Sequence, residues 1–142
     1  MAKFLIYAIL AMPAYLLANP EYVGSEFCID CHKEAGIAWA DSHHAKAWTD
    51  ASAENISADF TDTTFRLGKM TARFSVDGDG YFVDVTNHDG SERRYPVHSV
   101  IGVEPLQQYL LETEPGRLQS FDVVWDTEQK NWFHLYLSLI HI

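Results

Sequence analysis

The pattern of apolar and polar positions changes at Phe60, from one typical of helices to one typical of strands. Short turn-forming sequences, Asp77-Gly78-Asp79-Gly80 and Asn87-His88-Asp89-Gly90, punctuate the second part and favour tight hairpins. We therefore expect an antiparallel meander here. Its strands, rich in β-branched and aromatic residues, are predicted at Phe65–Val76, Tyr81–Thr86 and Glu92–His98.

Further along the chain, Pro105 lies near the start of a short stretch that we predict to be helical, Leu106–Leu111. Two more strands, Phe121–Trp125 and Trp132–Tyr136, are predicted to form a hairpin around the loop at 126–131. The β-rich region thus contains about five predicted strands.

The stretch from Lys33 to Ala51 is rich in alanine and poor in β-branched residues, which favours a helix. Ser25 is a suitable N-cap for a helical turn just before it. We predict an α+β fold, in which a helical N-terminal segment is followed by a small antiparallel β-sheet of about five strands.

Residues 1–18 have the pattern of an export signal. Lys3 provides a positive start, Phe4–Ala11 is an apolar run, and Ala18 is a suitable small residue for cleavage. The alternative is an uncleaved membrane tether, which is less favoured because the apolar run is too short for a typical span. Either interpretation predicts a periplasmic or otherwise exported protein.

Both cysteines of the chain lie in Cys28-Ile29-Asp30-Cys31-His32. This is the spacing that attaches a c-type haem. Two thiols can form thioethers to one edge of the porphyrin, and the adjacent imidazole can bind the iron. The sequence therefore predicts a haem c held by Cys28 and Cys31, with His32 as the proximal ligand.

Two other kinds of site contain a Cys-x-x-Cys pair. A structural zinc site needs further soft ligands, and the chain contains no other cysteine. A thiol/disulfide pair of the thioredoxin type starts a helix in a βαβ unit, which the sequence before Cys28 does not provide. Both are less favoured than haem attachment.

A six-coordinate haem iron needs a second axial ligand. Met70 is the only methionine beyond the leader, whereas histidine is plentiful. The count favours bis-histidine ligation, which implies a lower potential than His/Met ligation. The other histidines are His43, His44, His88, His98, His134 and His141.

His43 and His44 are the first candidates for that ligand, on the predicted helix. If one straight helix joined His32 to His43, about 16 Å would separate them along its axis. Two residues on such a helix cannot bind one iron from opposite faces. Either the helix breaks between them, or His43 or His44 binds another haem; a solvated helix surface is the third interpretation.

The formal net charge is −10. Such a charge repels nucleic acid, so we expect no nucleic-acid role. It favours redox partner proteins with a basic docking surface.

The motif and its surroundings resemble the N-terminus of exported multihaem cytochromes of the cytochrome c-554 type. The resemblance is carried by residues 22–25, by the haem motif, and by Trp39 with Ser42-His43-His44-Ala45. Later runs are similar to a subgroup often fused to tetratricopeptide repeats; they are residues 102–110, 116–119 and 132–136.

This resemblance implies electron transfer through several closely spaced c haems, most of them with bis-histidine ligation. It supports Cys28 and Cys31 as thioether anchors, His32 as proximal ligand, and His43 or His44 as an axial ligand. His134 matches a family run, but a packed strand residue is the favoured interpretation. His98 is a weak ligand candidate.

Residues 137–142 match one translated frame of a common transposase-type sequencing adapter, whereas relatives continue toward further haem motifs. We therefore expect a non-native tail on an N-terminal fragment. The predicted organisation is a signal peptide at 1–18, a haem-attachment segment at 19–59, a β-rich region at 60–136 and the tail.

The function that the sequence favours is exported electron transfer. The first alternative is a haem-dependent oxidoreductase of nitrogen-oxide type, whose catalytic haem lies in a missing C-terminal part. A haem-based sensor ranks third, because no output domain is visible.

Overall fold

A computed structural model describes residues 23–138. The predicted signal peptide at 1–18 and most of the predicted tail, including His141, lie outside these residues. The helices and strands, numbered in chain order, are α1 Gly24–Ile29, α2 Lys33–Ala40, β1 Trp48–Asp50, β2 Thr63–Leu67, β3 Met70–Asp77, β4 Gly80–Thr86, β5 Glu92–Ile101, β6 Leu106–Glu114, β7 Arg117–Ser120, β8 Val123–Asp126, β9 Asn131–His134 and α3 Leu135–Ser138.

The predicted α+β fold with a five-stranded sheet is wrong. Strands make up 47% of the structure and helices 14%, so the fold is mainly antiparallel β. Seven strands follow one another in the order β2-β3-β4-β5-β6-β8-β9. Two short strands pair at the sides, β1 with β5 and β7 with β6. The sheet is nearly closed on itself.

The three predicted hairpins are confirmed, including the one around the loop at 126–131, where β8 pairs with β9. Asp77 pairs with Gly80 at the β3–β4 turn, and Thr86 pairs with Glu92 across the β4–β5 turn. Gly78 and Gly90 have φ of +60° and +85°, the left-handed region that glycine enters without steric cost. These two turns therefore lie at the positions that the Asp-Gly and Asn-x-Asp-Gly sequences predict.

The predicted strand Phe65–Val76 is two strands, joined by a turn at Gly68 and Lys69. Gly68 has φ of +58°. A glycine inside an otherwise continuous strand pattern was the available signal for this turn.

The predicted helix at Leu106–Leu111 is wrong, because this stretch is the start of strand β6. Tyr109 and Leu111 are buried, and β6 pairs with β5, β7 and β8. The hydrogen bonds and burial offered by three neighbouring strands outweigh the weak helical preference of a short sequence.

The helix predicted for Lys33–Ala51 ends at Ala40. The chain then turns, and Trp48–Asp50 forms β1 against the C-terminal end of β5. The amide of Gly102 donates to the Ala47 carbonyl at 3.0 Å, and the amide of Ala51 donates to the His98 carbonyl at 3.3 Å. Residues 48–50, which composition predicted to be helical, thus pair with the edge of β5 instead.

The core lies inside the curled sheet and is largely aromatic. Phe60 contacts Phe74, Tyr81, Tyr109 and Trp132 edge to face, with ring centroids 5.1 to 5.6 Å apart. Aliphatic side chains complete the core; they include Val83, Val85, Val97, Val100, Leu111 and Val123.

Gln107 connects the loop before β2 to this core. Its side-chain amide donates to the Asn55 carbonyl at 2.8 Å and its Oε1 accepts from the Ser57 amide at 2.8 Å. The buried Tyr109 hydroxyl also donates to this Oε1, at 3.0 Å. The long segment between β1 and β2 is therefore held to the sheet by buried hydrogen bonds.

Candidate haem-attachment site

The Cys-x-x-Cys-His motif lies at the junction of α1 and α2. Cys28 is in the last turn of α1, Cys31 is in the connecting turn, and His32 is the N-cap residue of α2. The Cys28 carbonyl accepts hydrogen bonds from the amides of Cys31, at 3.3 Å, and His32, at 3.0 Å. The turn therefore brings the motif residues back toward one another. Val23, rather than the predicted Ser25, is the N-cap of α1.

The two helices touch through Ile29 and Gly36. A Cβ placed on Gly36 would lie 2.6 Å from Ile29 Cγ1, closer than real side chains approach. Glycine at this position therefore allows the helices to pack closely. Sequence reasoning missed this contact, and the only available signal was a glycine inside a helical pattern.

Next to this contact lies an open groove of about 240 Å³, which we name the motif groove. Cys28 and His32 both line it, so a thiol and the candidate proximal imidazole face the same space. A second depression is lined by Cys31 and, again, His32. The motif groove is lined by Ser25, Cys28, Ile29, His32, Ala35, Gly36 and Trp39.

The helical segment has no core of its own. No residue of α1 or α2 is buried. Phe27, Ile37 and Trp39 are 71%, 63% and 50% exposed, although soluble domains usually bury side chains of this type. The two helices therefore leave apolar side chains in contact with solvent.

These residues fit a haem c. Cys28 and Cys31 are free, exposed thiols, as thioether formation requires. His32 supplies the imidazole, and the side chains of Ile29, Ala35 and Trp39 give the motif groove an apolar lining that suits a porphyrin face.

Residues 23–138 show no feature that favours a zinc site or a thioredoxin-type redox pair. Within residues 23–138, no group of three or more His, Cys, Asp or Glu side chains is placed to hold a metal ion by itself. Cys28 ends a helix instead of starting one, unlike the first cysteine of a thioredoxin-type pair.

His43 and His44 lie together in the turn that follows α2, and both are exposed. The Ser42 hydroxyl donates to the Trp39 carbonyl at 2.6 Å and accepts from the Ala45 amide at 3.3 Å, which stabilises this turn. The helix therefore breaks between His32 and His43. Such a break is required if His32 and either His43 or His44 are to bind the same iron. The eight residues of α2 span about 12 Å between the two sites.

The other candidate ligands are dispersed over the sheet. Met70 begins β3 and packs against the core. His88 is exposed in the β4–β5 turn. His98 is exposed on β5, with its Nδ1 2.5 Å from Ser99 Oγ. His134 is half-buried in β9, as a packed strand residue would be, and its buried Nδ1 has no hydrogen-bond partner among residues 23–138.

None of the helices between residues 23 and 138 has the length and apolar character needed to cross a bilayer.

No protein-family model matches the chain, and neither the curated proteins nor the solved structures compared with it show significant similarity.

Proposed function

We infer that this protein is an exported electron carrier with covalently attached haem c. The observation that supports the inference most directly is the motif groove. It combines the Cys28 thiol and the His32 imidazole with apolar side chains that are not buried in a hydrophobic core. The resemblance to multihaem cytochromes of the cytochrome c-554 type points to the same activity.

Each residue of the motif has a separate task in this proposal. Cys28 and Cys31 anchor the group through thioether bonds, so that it cannot dissociate. His32, at the start of α2, holds its imidazole toward the iron, and His43 or His44 is the second histidine, on this iron or a neighbouring one. Bound haem would supply a reversible one-electron iron centre.

The side chains of this chain also determine where that electron can go. The motif is exposed, so a partner can approach closely without any rearrangement of the sheet. The net charge of −10 attracts redox partners with a basic docking surface and increases the rate of encounter at low salt.

The test is covalent haem content after expression of the full chain with c-type maturation machinery. We expect haem stain on the denatured wild-type protein and none on the Cys28→Ala, Cys31→Ala double variant. Each single variant should retain haem with a red-shifted absorption, because one vinyl group stays unsaturated. Ser91→Ala, in the exposed β4–β5 turn, is the control and should stain like wild type.

Equal covalent staining of the double variant and wild type would contradict haem attachment. The electron-carrier function is tested separately, by adding carbon monoxide to the reduced protein. An unchanged low-spin spectrum is expected for a carrier, whereas a shifted spectrum would indicate an open axial position and an oxidoreductase.

A further inference from the structure

The segment between β1 and β2 covers one end of the curled sheet. Phe60 contacts four aromatic rings of the core there, one of them that of Tyr81 at the start of β4, and Ile56 and Ala58 pack against the same core. Gln107, near the start of β6, holds this segment in place through its hydrogen bonds. The covered end is therefore the one at which β4 and β6 begin.

A cavity of about 170 Å³ lies at the opposite end, where β4 and β6 finish, and we name it the end cavity. Two buried core residues line it, Val85 late in β4 and Leu111 late in β6. Tyr95 and Phe121 also line it, and both pack against the core. The remaining lining residues are polar and uncharged; they are Asn87, Thr113, Gln119 and Ser120.

The strand register explains how residues from β5, β6 and β7 come to line one space. Val97 of the core pairs with Leu111, and Leu111 pairs with Gln119. Cross-strand partners share a face, so Gln119 lies on the inward face with the other two. Tyr95 lies two residues before Val97 on β5 and has the same orientation, because side chains alternate along a strand.

A β-bulge lies at the rim of the end cavity. Glu112 pairs with Leu118 and Glu114 pairs with Arg117, which leaves Thr113 as an extra residue on β6. Bulges are common at the rims of closed sheets and next to functional sites, because they change the direction of a side chain. Thr113 lines the end cavity at this point.

The lining of the end cavity favours an uncharged ligand. Within residues 23–138 no charged side chain lines it, and burying an ion without a partner costs far more than burying a neutral molecule. The side chains of Tyr95 and Gln119 form no hydrogen bond among these residues. A phenolic hydroxyl and a carboxamide are therefore available to a polar atom of a ligand.

The volume of the end cavity limits the size of that ligand. An apolar cavity of about 150 Å³ holds one benzene ring. At about 170 Å³ the end cavity has room for one such ring and not for a peptide. Closed sheets of about eight strands can hold one small ligand in this way, and their mouths are common sites for it.

We propose that the end cavity binds a small neutral aromatic molecule of the phenol type. The ring of this ligand contacts Val85, Leu111 and the aromatic side chains of Tyr95 and Phe121, and its hydroxyl group bonds to the polar rim. The site is separate from the proposed haem function, since none of its lining residues belongs to the motif groove.

The experiment is isothermal titration calorimetry of the full chain, expressed with c-type maturation machinery, with phenol and with benzoate at constant ionic strength. We expect saturable binding of phenol with a Kd of about 1 mM or tighter, which is within reach of a ligand of about seven heavy atoms. Benzoate should bind at least about tenfold more weakly, because its charge finds no partner in the lining. Phenol binding that does not saturate, or equal binding of benzoate, would overturn the proposal.

Thr113→Trp places a large side chain at the end cavity and should weaken phenol binding about tenfold or more. Thr64→Trp is the matched control, because Thr64 is exposed on β2 and does not line the end cavity, and it should bind like wild type. Gln119→Trp is a second blocking variant, at an exposed position where substitutions usually change stability little. It decides the question if Thr113→Trp does not fold.

Wild-type affinity in the folded blocking variants would overturn the proposal, as would an equal loss of affinity in Thr64→Trp. Trp39→Ala provides the last comparison, because Trp39 lines the motif groove instead. It should bind phenol like wild type. A loss of affinity in this variant, with none in the blocking variants, would assign phenol binding to the motif groove and would also overturn the proposal.

Discussion

Trp132 stacks face to face on Phe74, with ring centroids 3.5 Å apart and ring planes within 6° of parallel. Phe74 lies on β3, near one end of the strand order, and Trp132 lies on β9 at the other end. The Trp132 indole nitrogen also donates to Thr63 Oγ1 of β2 at 3.1 Å. One side chain therefore joins the two ends of the sheet around a common core.

Replacing this residue should destabilise the whole fold. We expect Trp132→Ala to lower the free energy of unfolding by about 3–5 kcal/mol, since it removes a large aromatic side chain from a packed site and leaves a cavity. Urea unfolding followed by circular dichroism measures the change.

Trp48→Ala is the control for that prediction, because Trp48 is 60% exposed on β1. Its loss should cost less than about 1 kcal/mol, as is usual at exposed positions. A cost as large as that of Trp132→Ala would show that the Phe74–Trp132 stack does not determine stability.

Gly36→Ala should disturb the haem-attachment segment without unfolding the sheet. The added methyl group would collide with Ile29 and push α2 away from α1. We expect a reduced yield of covalent haem, while the urea midpoint of the sheet stays within experimental error of wild type. Ala38→Ser, at an exposed position of the same helix, should retain the normal haem yield. Full haem incorporation in Gly36→Ala would mean that close helix packing is not needed for attachment.

His43→Ala and His44→Ala test the second axial ligand. We expect one of the two variants to lose the low-spin absorption of the oxidised protein, because it removes an imidazole from iron. His88→Ala replaces an exposed histidine in a hairpin and should leave the spectrum unchanged. Low-spin spectra in both test variants would show that neither His43 nor His44 is needed as an iron ligand and would favour their interpretation as solvated surface residues.

Tyr109 should make stability depend on alkaline pH. Burial raises the pKa of the Tyr109 hydroxyl well above its ordinary value, so the folded protein keeps a proton that the unfolded chain releases. This contribution is complete below about pH 10 and is lost as pH rises further, by up to about 1.4 kcal/mol per pH unit.

Urea unfolding at a series of pH values measures that slope. Tyr109→Phe should have a shallower loss of stability above pH 10 than wild type, whatever its stability at neutral pH. Tyr136→Phe, which removes an exposed hydroxyl, should keep the wild-type slope. Identical slopes in wild type and Tyr109→Phe would contradict the assignment to Tyr109.

Local signals in the sequence predicted the central hairpins well. The turns at 77–80 and 87–90 depend on residues that are neighbours in the chain, and the strands β4 and β5 begin as expected. The candidate site is equally local, because Cys28, Cys31 and His32 are joined by one short turn. The approach of Arg73 and Arg94 to Asp84 was not foreseen, since these residues come from three strands whose register only the folded sheet sets.

The sequence by itself determined the spacing of Cys28, Cys31 and His32 and the three hairpins, because each depends on residues within a few positions of one another. The tertiary structure decided three further features. It made Leu106–Glu114 a strand with three neighbours, it paired Trp48–Asp50 with β5 beyond the end of α2 at Ala40, and it brought β9 back to β2 and β3. Each of these depends on hydrogen bonds and burial between residues far apart in the chain, and local preferences are too weak to specify or to prevent such pairing.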